Sequence, residues 1–253
     1  MTKLHILIPT YNCAEFIGAT LKSVFDQALH DIRVTVVDNV STDGTGDLIR
    51  DTFGTSVDYI RNAENIGGIR NHNRCMDIAE GQYIKLLSAD DLLLPGILAT
   101  QIKSLDSHPS AGISTCDNQL IDSAGEQIGL AHYLKGFHNG RDAIRVCAAK
   151  VANLVGGPSQ TMLRADAIHG HRWDPQFAWT ADLMFYLSML RDSDLVGTGE
   201  PGVAYRRRSG SISEASCPLP IRRKSDLEFL RRFARNPMPF LRWGVRYAKA
   251  GLS

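Results

Sequence analysis

Four times in the first 105 residues, a short apolar run gives way to a polar loop and then to a segment with helical spacing. The runs are "LHILIP" (4–9), "IRVTVVD" (32–38), "VDYIRN" (57–62) and "YIKLL" (83–87). They are rich in branched residues and mostly do not alternate with polar ones, as expected of strands covered on both faces. The segments between them carry apolar residues at helical spacing. In "YNCAEFIGATLKSVFDQAL" these are Phe16, Ile17, Leu21, Val24, Phe25 and Leu29. Asn12 followed by Glu15 is a variant of the capping box and predicts a start near Cys13. Leu48, Ile49 and Phe53 mark a short helix after a glycine-bearing turn, within 41–53. A third helix covers 68–81 and ends at Gly81. A fourth follows Pro95, with the proline in its first turn. Strands alternating with crossover helices dictate an α/β fold with a mainly parallel, Rossmann-like sheet.

The polar motifs then fall into place. Pro9, Thr10, Tyr11 and Asn12 follow the first strand, and Asp38-Asn39 with the 41–45 turn follow the second. Asn65-Ile66-Gly67-Gly68 follows the third, and Ser88-Ala89-Asp90-Asp91 the fourth. All lie at carboxyl ends, on the one edge where open α/β sheets bind ligands. Asn, Asp and Gly also make turns, but the loops on the opposite edge, such as "HDI" (30–32), lack this polarity.

Beyond residue 105 the pattern is looser. A strand and a turn are expected in 111–125, with the turn at Ser123-Ala124-Gly125. A Gly-Gly-Pro break, a strand and a helix start are expected in 153–168. Three aromatics precede a helix in 171–190, and 202–213 reads as a strand with a basic, serine-rich loop. The division expected is a 1–215 catalytic domain, with halves 1–105 and 106–215, and a 216–253 extension. That extension has basic residues around Leu227, Phe229, Leu230, Phe233, Phe240, Leu241, Trp243, Val245 and Tyr247, broken by Pro237 and Pro239. Residues 221–253 carry +7, which leaves −6 for the rest of a chain of net charge +1. The tail is therefore expected either to lie on an anionic membrane or to pack its apolar face on the domain. No nucleic-acid partner is expected. The five cysteines show no CxxC spacing and read as reduced, buried thiols. No leader and no apolar run of about 18 residues is seen, so a cytoplasmic protein is expected, peripheral at most on the inner membrane face.

The ordered set "IPTYN", "VVDNVSTDGT", "NAENIGGIRNHN", "AEGQYIKLLSADD", "HRWDPQFAWTAD" and "YRRRSGS" resembles the family-2 glycosyltransferases over roughly residues 3–213. The resemblance implies the GT-A fold and transfer of a sugar, with inversion, from a nucleoside diphosphate sugar, with UDP favoured. The acceptor implied is a hydroxyl of a saccharide or lipid-linked molecule, in bacterial polysaccharide or lipopolysaccharide synthesis. It implies that Asp38 reads the base, that Pro9, Thr10 and Tyr11 pack on base and ribose, and that Asn65 and Gly67 lie by the nucleotide. Ser88, Ala89 and Asp90 stand where the family has its DxD motif, with Asp90 the acid that contacts Mg2+ or Mn2+. Asp182 stands at the catalytic base, where an acceptor hydroxyl must lose its proton as it attacks.

The chain departs from the pattern at four places. Ser88 replaces the first DxD acid, Ala181 the Glu before the base, Arg208 a histidine able to ligate metal, and His72 a common arginine. Mg2+ often needs only one or two protein carboxylates plus phosphates and water, so a weakly required metal on Asp90 is expected. Arg206–Arg208 are expected to share the neutralisation of the leaving diphosphate, and Asp91 to favour the next helix N-terminus. Two alternatives stay open: a GT-A-shaped sugar-nucleotide or carbohydrate-binding protein that has lost turnover, and a nucleotidyltransferase, which lacks support from any Gly-rich loop and lysine after strand one.

Overall fold

The structure is a computed structural model and describes residues 2–177, 179–208, 218–234, 238–240 and 243. The serine-rich part of the 202–213 loop, Cys217, the 215/216 boundary and most of the tail beyond Ala234 lie outside the described residues. Among the described residues, ten strands form one mixed sheet: β1 (Leu4–Thr10), β2 (Ile32–Asp38), β3 (Asp58–Arg61), β4 (Tyr83–Leu86), β5 (Leu92–Leu93), β6 (Ala111–Ile121), β7 (Gln127–Ala131), β8 (Gly136–His138), β9 (Met162–Arg164) and β10 (Asp194–Arg206). The order along the sheet is β3-β2-β1-β4-β9-β6-β10-β5, with β7 paired to β6 and β8 to β10. The helices are α1 (Ala14–Phe25), α2 (Thr45–Phe53), α3 (Gly68–Asp77), α4 (Ile97–Ser107), α5 (Gly140–Lys150), α6 (Ala181–Met189) and α7 (Leu219–Phe233).

The first four strands are parallel, as the apolar runs require. β9 then runs antiparallel between β4 and β6, while β10 is parallel to β6. Two antiparallel steps restore direction, so β1, β2, β3, β4, β6 and β10 all point their carboxyl ends to one edge. The period-2 alternation of a strand divides the core. Leu4, Ile6 and Ile8 face α1, α2 and α4 on one side. Leu7, Ile84 and Leu86 face α3, α5, α6 and α7 on the other.

Three local expectations need correction. The capping box at the start of α1 does not form: Asn12 has φ +50°, and Cys13 makes no side-chain cap. The loop after β2 caps the helix instead. Asp43 Oδ2 accepts from Ala14 N at 2.9 Å, Thr45 Oγ1 from Cys13 N at 3.0 Å, and Ser41 Oγ from Asn12 N at 2.8 Å. The third helix ends at Asp77, short of Gly81, which lies against the Thr2 carbonyl with φ +109°. Pro95 precedes the α4 N-cap, Gly96, rather than lying in the first turn.

The four described cysteines are buried and unpaired with one another. Among the described residues no helix is long and apolar enough to cross a membrane. The apolar side of α7 packs on the catalytic body, with Phe229, Leu230 and Phe233 in the core. Its arginines meet aromatic rings: Arg222 lies over Trp179 and Arg232 over Phe177. For α7, the packing alternative is the one observed.

Candidate active site

The loops after β1, β2 and β3 meet at the carboxyl edge. Asp38 ends β2 and is fully buried. Its Oδ1 accepts from Ser41 N (3.0 Å) and Ser41 Oγ (2.5 Å), and its Oδ2 from Tyr59 OH (2.5 Å) and Arg61 Nη1 (2.8 Å). The acceptor capacity of a carboxylate is largely used by these four bonds. The carboxylate therefore holds Tyr59 and Arg61 at the edge. Tyr11 is 45% exposed, Pro9 is half-buried, and Thr10 is buried with its hydroxyl on the Ile8 carbonyl.

A ladder of asparagines sets the loop after β3. Asn39 Nδ2 donates to Asn65 Oδ1 (2.7 Å), Asn62 Nδ2 to Asn39 Oδ1 (3.1 Å) and to Asn71 Oδ1 (2.8 Å), and Asn71 Nδ2 to the Val37 carbonyl (2.9 Å). Asn65 Oδ1 also accepts from Gly67 N. Gly67 has φ +81° with open space at its Cβ position, so the backbone there is bare to a ligand. The sequence reading picked out Asn65 and Gly67 but not Asn39, Asn62 and Asn71 as the groups that place them. His72 donates Nδ1–H to the Gly68 carbonyl and stacks on Trp173 at 4.7 Å; burial lowers its pKa.

After β4 the two adjacent acids part company. Asp90 is partly exposed, and its Oδ2 accepts from Arg208 Nε at 2.9 Å. Asp91 is buried, and its oxygens accept from Arg206 N (2.9 Å) and Ser159 Oγ (2.6 Å). Burial, and then the Asp90 charge, push its pKa up. The expectation that Asp91 serves the α4 N-terminus is therefore corrected: Asp91 ties β10 to the Asp90 turn. Ala89 is core, and its carbonyl accepts from Thr20 Oγ1. Ser88 N donates to Ser159 Oγ.

Arg206 is also corrected. It is buried, and its guanidinium donates to the carbonyls of Asp90, Asp122 and Ser123. It is thereby committed to structure, whereas Arg207 is exposed and Arg208 pairs with Asp90. The guanidinium groups of Arg206 and Arg208 lie over the Phe16 ring, at 4.9 and 5.3 Å. Beneath them Lys85 is fully buried in β4, donating to Gln101 Oε1 (3.0 Å) and to the carbonyls of Ser159 (2.8 Å) and Thr161 (3.3 Å). Burial lowers its pKa to about 8.

Asp182 lies in the first turn of α6. Its Oδ1 accepts from Leu183 N (2.7 Å) and its Oδ2 from Asn153 Nδ2 (3.0 Å). Burial outweighs these bonds and raises its pKa to about 6. The carboxylate lines a cavity of about 360 Å³ together with Asn153, Trp179, Tyr205, Asp226 and Phe229. Burial raises Tyr205 to about 12, and the charges of Asp91, Asp90 and Asp182 add to that shift. Tyr205, one residue before Arg206, therefore sits in the field of both Asp90 and Asp182.

No group of three or more His, Cys, Asp and Glu suited to a metal exists among the described residues. Asp90 Oδ1 has no hydrogen-bond partner among them. One carboxylate oxygen fits a Mg2+ or Mn2+ ion that takes its remaining ligands from phosphates and water.

Residues 5–149, more than half of the chain, match the profile described as "Glycosyl transferase family 2". The chain is 36% identical over 121 residues to the abequosyltransferase RfbV of Salmonella typhimurium, covering 46% of this chain and 36% of that protein. It is 31% identical over 107 residues to the UDP-Glc:alpha-D-GlcNAc-diphosphoundecaprenol beta-1,3-glucosyltransferase WfaP of Escherichia coli, covering 42% of this chain and 43% of that one. The match thus spans about two fifths of the length of these relatives. Staphylococcus aureus TarS 1–349 in complex with UDP-GlcNAc superposes with a TM-score of 0.71 at 15% identity, covering 94% of this chain and 73% of that chain. At that identity the likeness is one of fold.

Proposed function

Because the chain belongs to glycosyl transferase family 2 and has the GT-A fold, we propose that it moves a sugar, with inversion, from a nucleoside diphosphate sugar to an acceptor hydroxyl. The donor is a UDP-sugar, bound by the 1–105 half. The acceptor, a saccharide or lipid-linked molecule of bacterial polysaccharide or lipopolysaccharide synthesis, is met by the 106–215 half. The reaction takes place in the cytoplasm, at the inner face of the membrane when the acceptor is lipid-linked. The observation that carries this reading is Asp182, a carboxylate pushed up to about 6 by burial that lines a cavity with Asn153 and Tyr205.

A carboxylate with a pKa near 6 is ionised at neutral pH and basic enough to take a proton from an attacking hydroxyl. Asn153 and the Leu183 amide fix its orientation while leaving acceptor capacity open. On the donor side, Tyr11 offers a ring for the base, and Tyr59 and Arg61, held by Asp38, offer donors to its polar edge. Asn65 and Gly67 bring bare backbone against the nucleotide. Arg208 moves from Asp90 to the diphosphate as negative charge grows on the leaving group. A Mg2+ or Mn2+ ion held by Asp90 would supply further neutralisation of that charge.

A nucleotide-sugar screen, read by thermal shift and by nucleoside diphosphate release, tests the reading. UDP-sugars are expected to raise Tm more than GDP- or CDP-sugars, and release is expected to fall at least about tenfold in Asp90→Asn. No nucleotide sugar stabilising the protein, with or without Mn2+, would overturn it.

A further inference from the structure

Among the described residues, Asp182 has one side-chain hydrogen-bond partner, Asn153. That partner cannot turn away. Asn153 lies between α5 and β9, and its Oδ1 accepts from Val155 N and from Gly156 N, both at 3.0 Å. Two backbone N–H groups on one end of an amide settle which end is oxygen. Nδ2 therefore faces the other way, where it donates to the Gly156 carbonyl (2.9 Å) and to Asp182 Oδ2 (3.0 Å). The segment is itself pinned. The Val155 carbonyl accepts from Thr115 Oγ1 on β6, the Leu154 carbonyl from Leu134 N, and Gln160 Oε1 from Gly157 N. Gly156 has φ +106°, and a Cβ there would meet the Gln160 side chain at 2.9 Å, so only glycine closes this turn.

Burial favours the protonated form of Asp182, and the bonds from Leu183 N and Asn153 Nδ2 favour the ion. The first bond comes with the helix backbone; the second belongs to a side chain. Tyr205 of β10 and Asp226 of α7 line the same cavity, and Tyr186 of α6 and Tyr133 after β7 lie in the field of the carboxylate. Asp226 has a partner of its own, and Arg222 of α7 lies over Trp179, another lining residue. No Lys, Arg or His lines the cavity among the described residues. We propose that Asn153 is a positioning residue of the transfer reaction, which holds Asp182 as the ion beside the acceptor hydroxyl and so sets the lowest pH at which transfer proceeds. This deepens the transferase reading and rests on Asp182 being its base. Loss of the Asn153 N–H removes a bond made to the ion, so Asp182 keeps its proton to higher pH. Transfer is then lost at neutral pH and returns at alkaline pH, a pattern that a damaged fold does not give.

Asn153→Asp separates the two ends of the amide. It keeps an oxygen for the Val155 and Gly156 N–H groups and exchanges only the donor to Asp182 for a second acid. Asn153→Ala removes both ends. Carbon-13 NMR of the aspartate carboxyl groups, titrated from about pH 4 to pH 9 in the full chain, reads the Asp182 midpoint, its resonance being the one missing from Asp182→Asn. The midpoint is expected near pH 6 in the wild type. It is expected to rise by roughly one pH unit or more in Asn153→Asp and by roughly half a unit in Asn153→Ala. The acid limb of transfer into a bacterial lipid-linked oligosaccharide extract is expected to move with it, with the alkaline plateau within about threefold of wild type. Thermal melts followed by circular dichroism check that both variants fold. A midpoint that stays or falls in both variants, or an acid limb that does not follow it, would overturn the proposal. Transfer by Asp182→Asn would count instead against Asp182 as the base.

Discussion

Burial of Asp182 in the first turn of α6 opposes its ionisation. Its pKa is raised from 3.8 to about 6, so the folded state holds the proton more tightly than the unfolded chain. A raised acid costs nothing below about pH 4, costs progressively more between the two values, and imposes its full cost above about pH 6. Asp182→Asn removes that charge. Its unfolding free energy relative to wild type is therefore expected to rise by at most about 2 kcal/mol between pH 4 and pH 8, the partial exposure of the side chain reducing the figure. Denaturant titrations at the two pH values check this; a variant whose relative stability fell with pH would contradict the sign. Arg208 gives a second prediction at this scale. It neutralises Asp90 in the free protein and, on the proposed reading, the diphosphate in the complex. Arg208→Ala is expected to lower turnover roughly tenfold or more and to make it more dependent on added Mn2+. Activity of the variant in excess EDTA equal to wild type would contradict that division of work.

Elements here are held by one another's loops. The start of α1 is capped from the turn before α2, so Asp43→Ala is expected to cost about 1 kcal/mol, read as a fall in stability without loss of helix α2. Lys85 makes a larger claim. Replacing it with Met leaves the Ser159 and Thr161 carbonyls without their donor, so a loss of roughly 3 kcal/mol is expected. Chemical denaturation measures both. These elements also mark the limit of what the sequence discloses. The four parallel strands and their helices are legible because both faces of each strand are apolar and the loops carry turn residues. The carboxyl-edge placement of Tyr11, Asp38, Asn65 and Asp90 follows from them. Lys85 is hidden because a lysine in an apolar strand reads as an edge or a break, and its three oxygen partners come from segments far apart in the chain. Arg206 reads as a site group, and Asp91 as a partner of the next helix N-terminus, because type and position cannot tell a buried hydrogen-bonded charge from a free one. Phe16, Tyr205, Asp226 and the asparagine ladder are ordinary core or helix residues until the sheet order brings them together.

At the scale of the molecule, the antiparallel insertion of β9 is what matters. It returns β6 and β10 to the direction of β4, and α7 lines the cavity at Asp182 through Asp226 and Phe229. The body and α7 are therefore expected to melt in a single calorimetric transition. Phe229→Ala is expected to destabilise that transition by roughly 3–5 kcal/mol; a separate early transition would contradict the packing. The apolar side of α7 is taken up by this packing, and Phe240 and Trp243 pack against the same core. The meeting of the two halves is most directly probed by the pH dependence of sugar transfer into a bacterial lipid-linked oligosaccharide extract, for wild type and Asp182→Asn. The wild type is expected to show an acid limb near pH 6. Asp182→Asn is expected to lose roughly 10²–10⁴-fold in transfer while keeping its UDP-induced thermal shift. Transfer by Asp182→Asn at a rate close to wild type, with the acid limb intact, would contradict the assignment of Asp182 as the base.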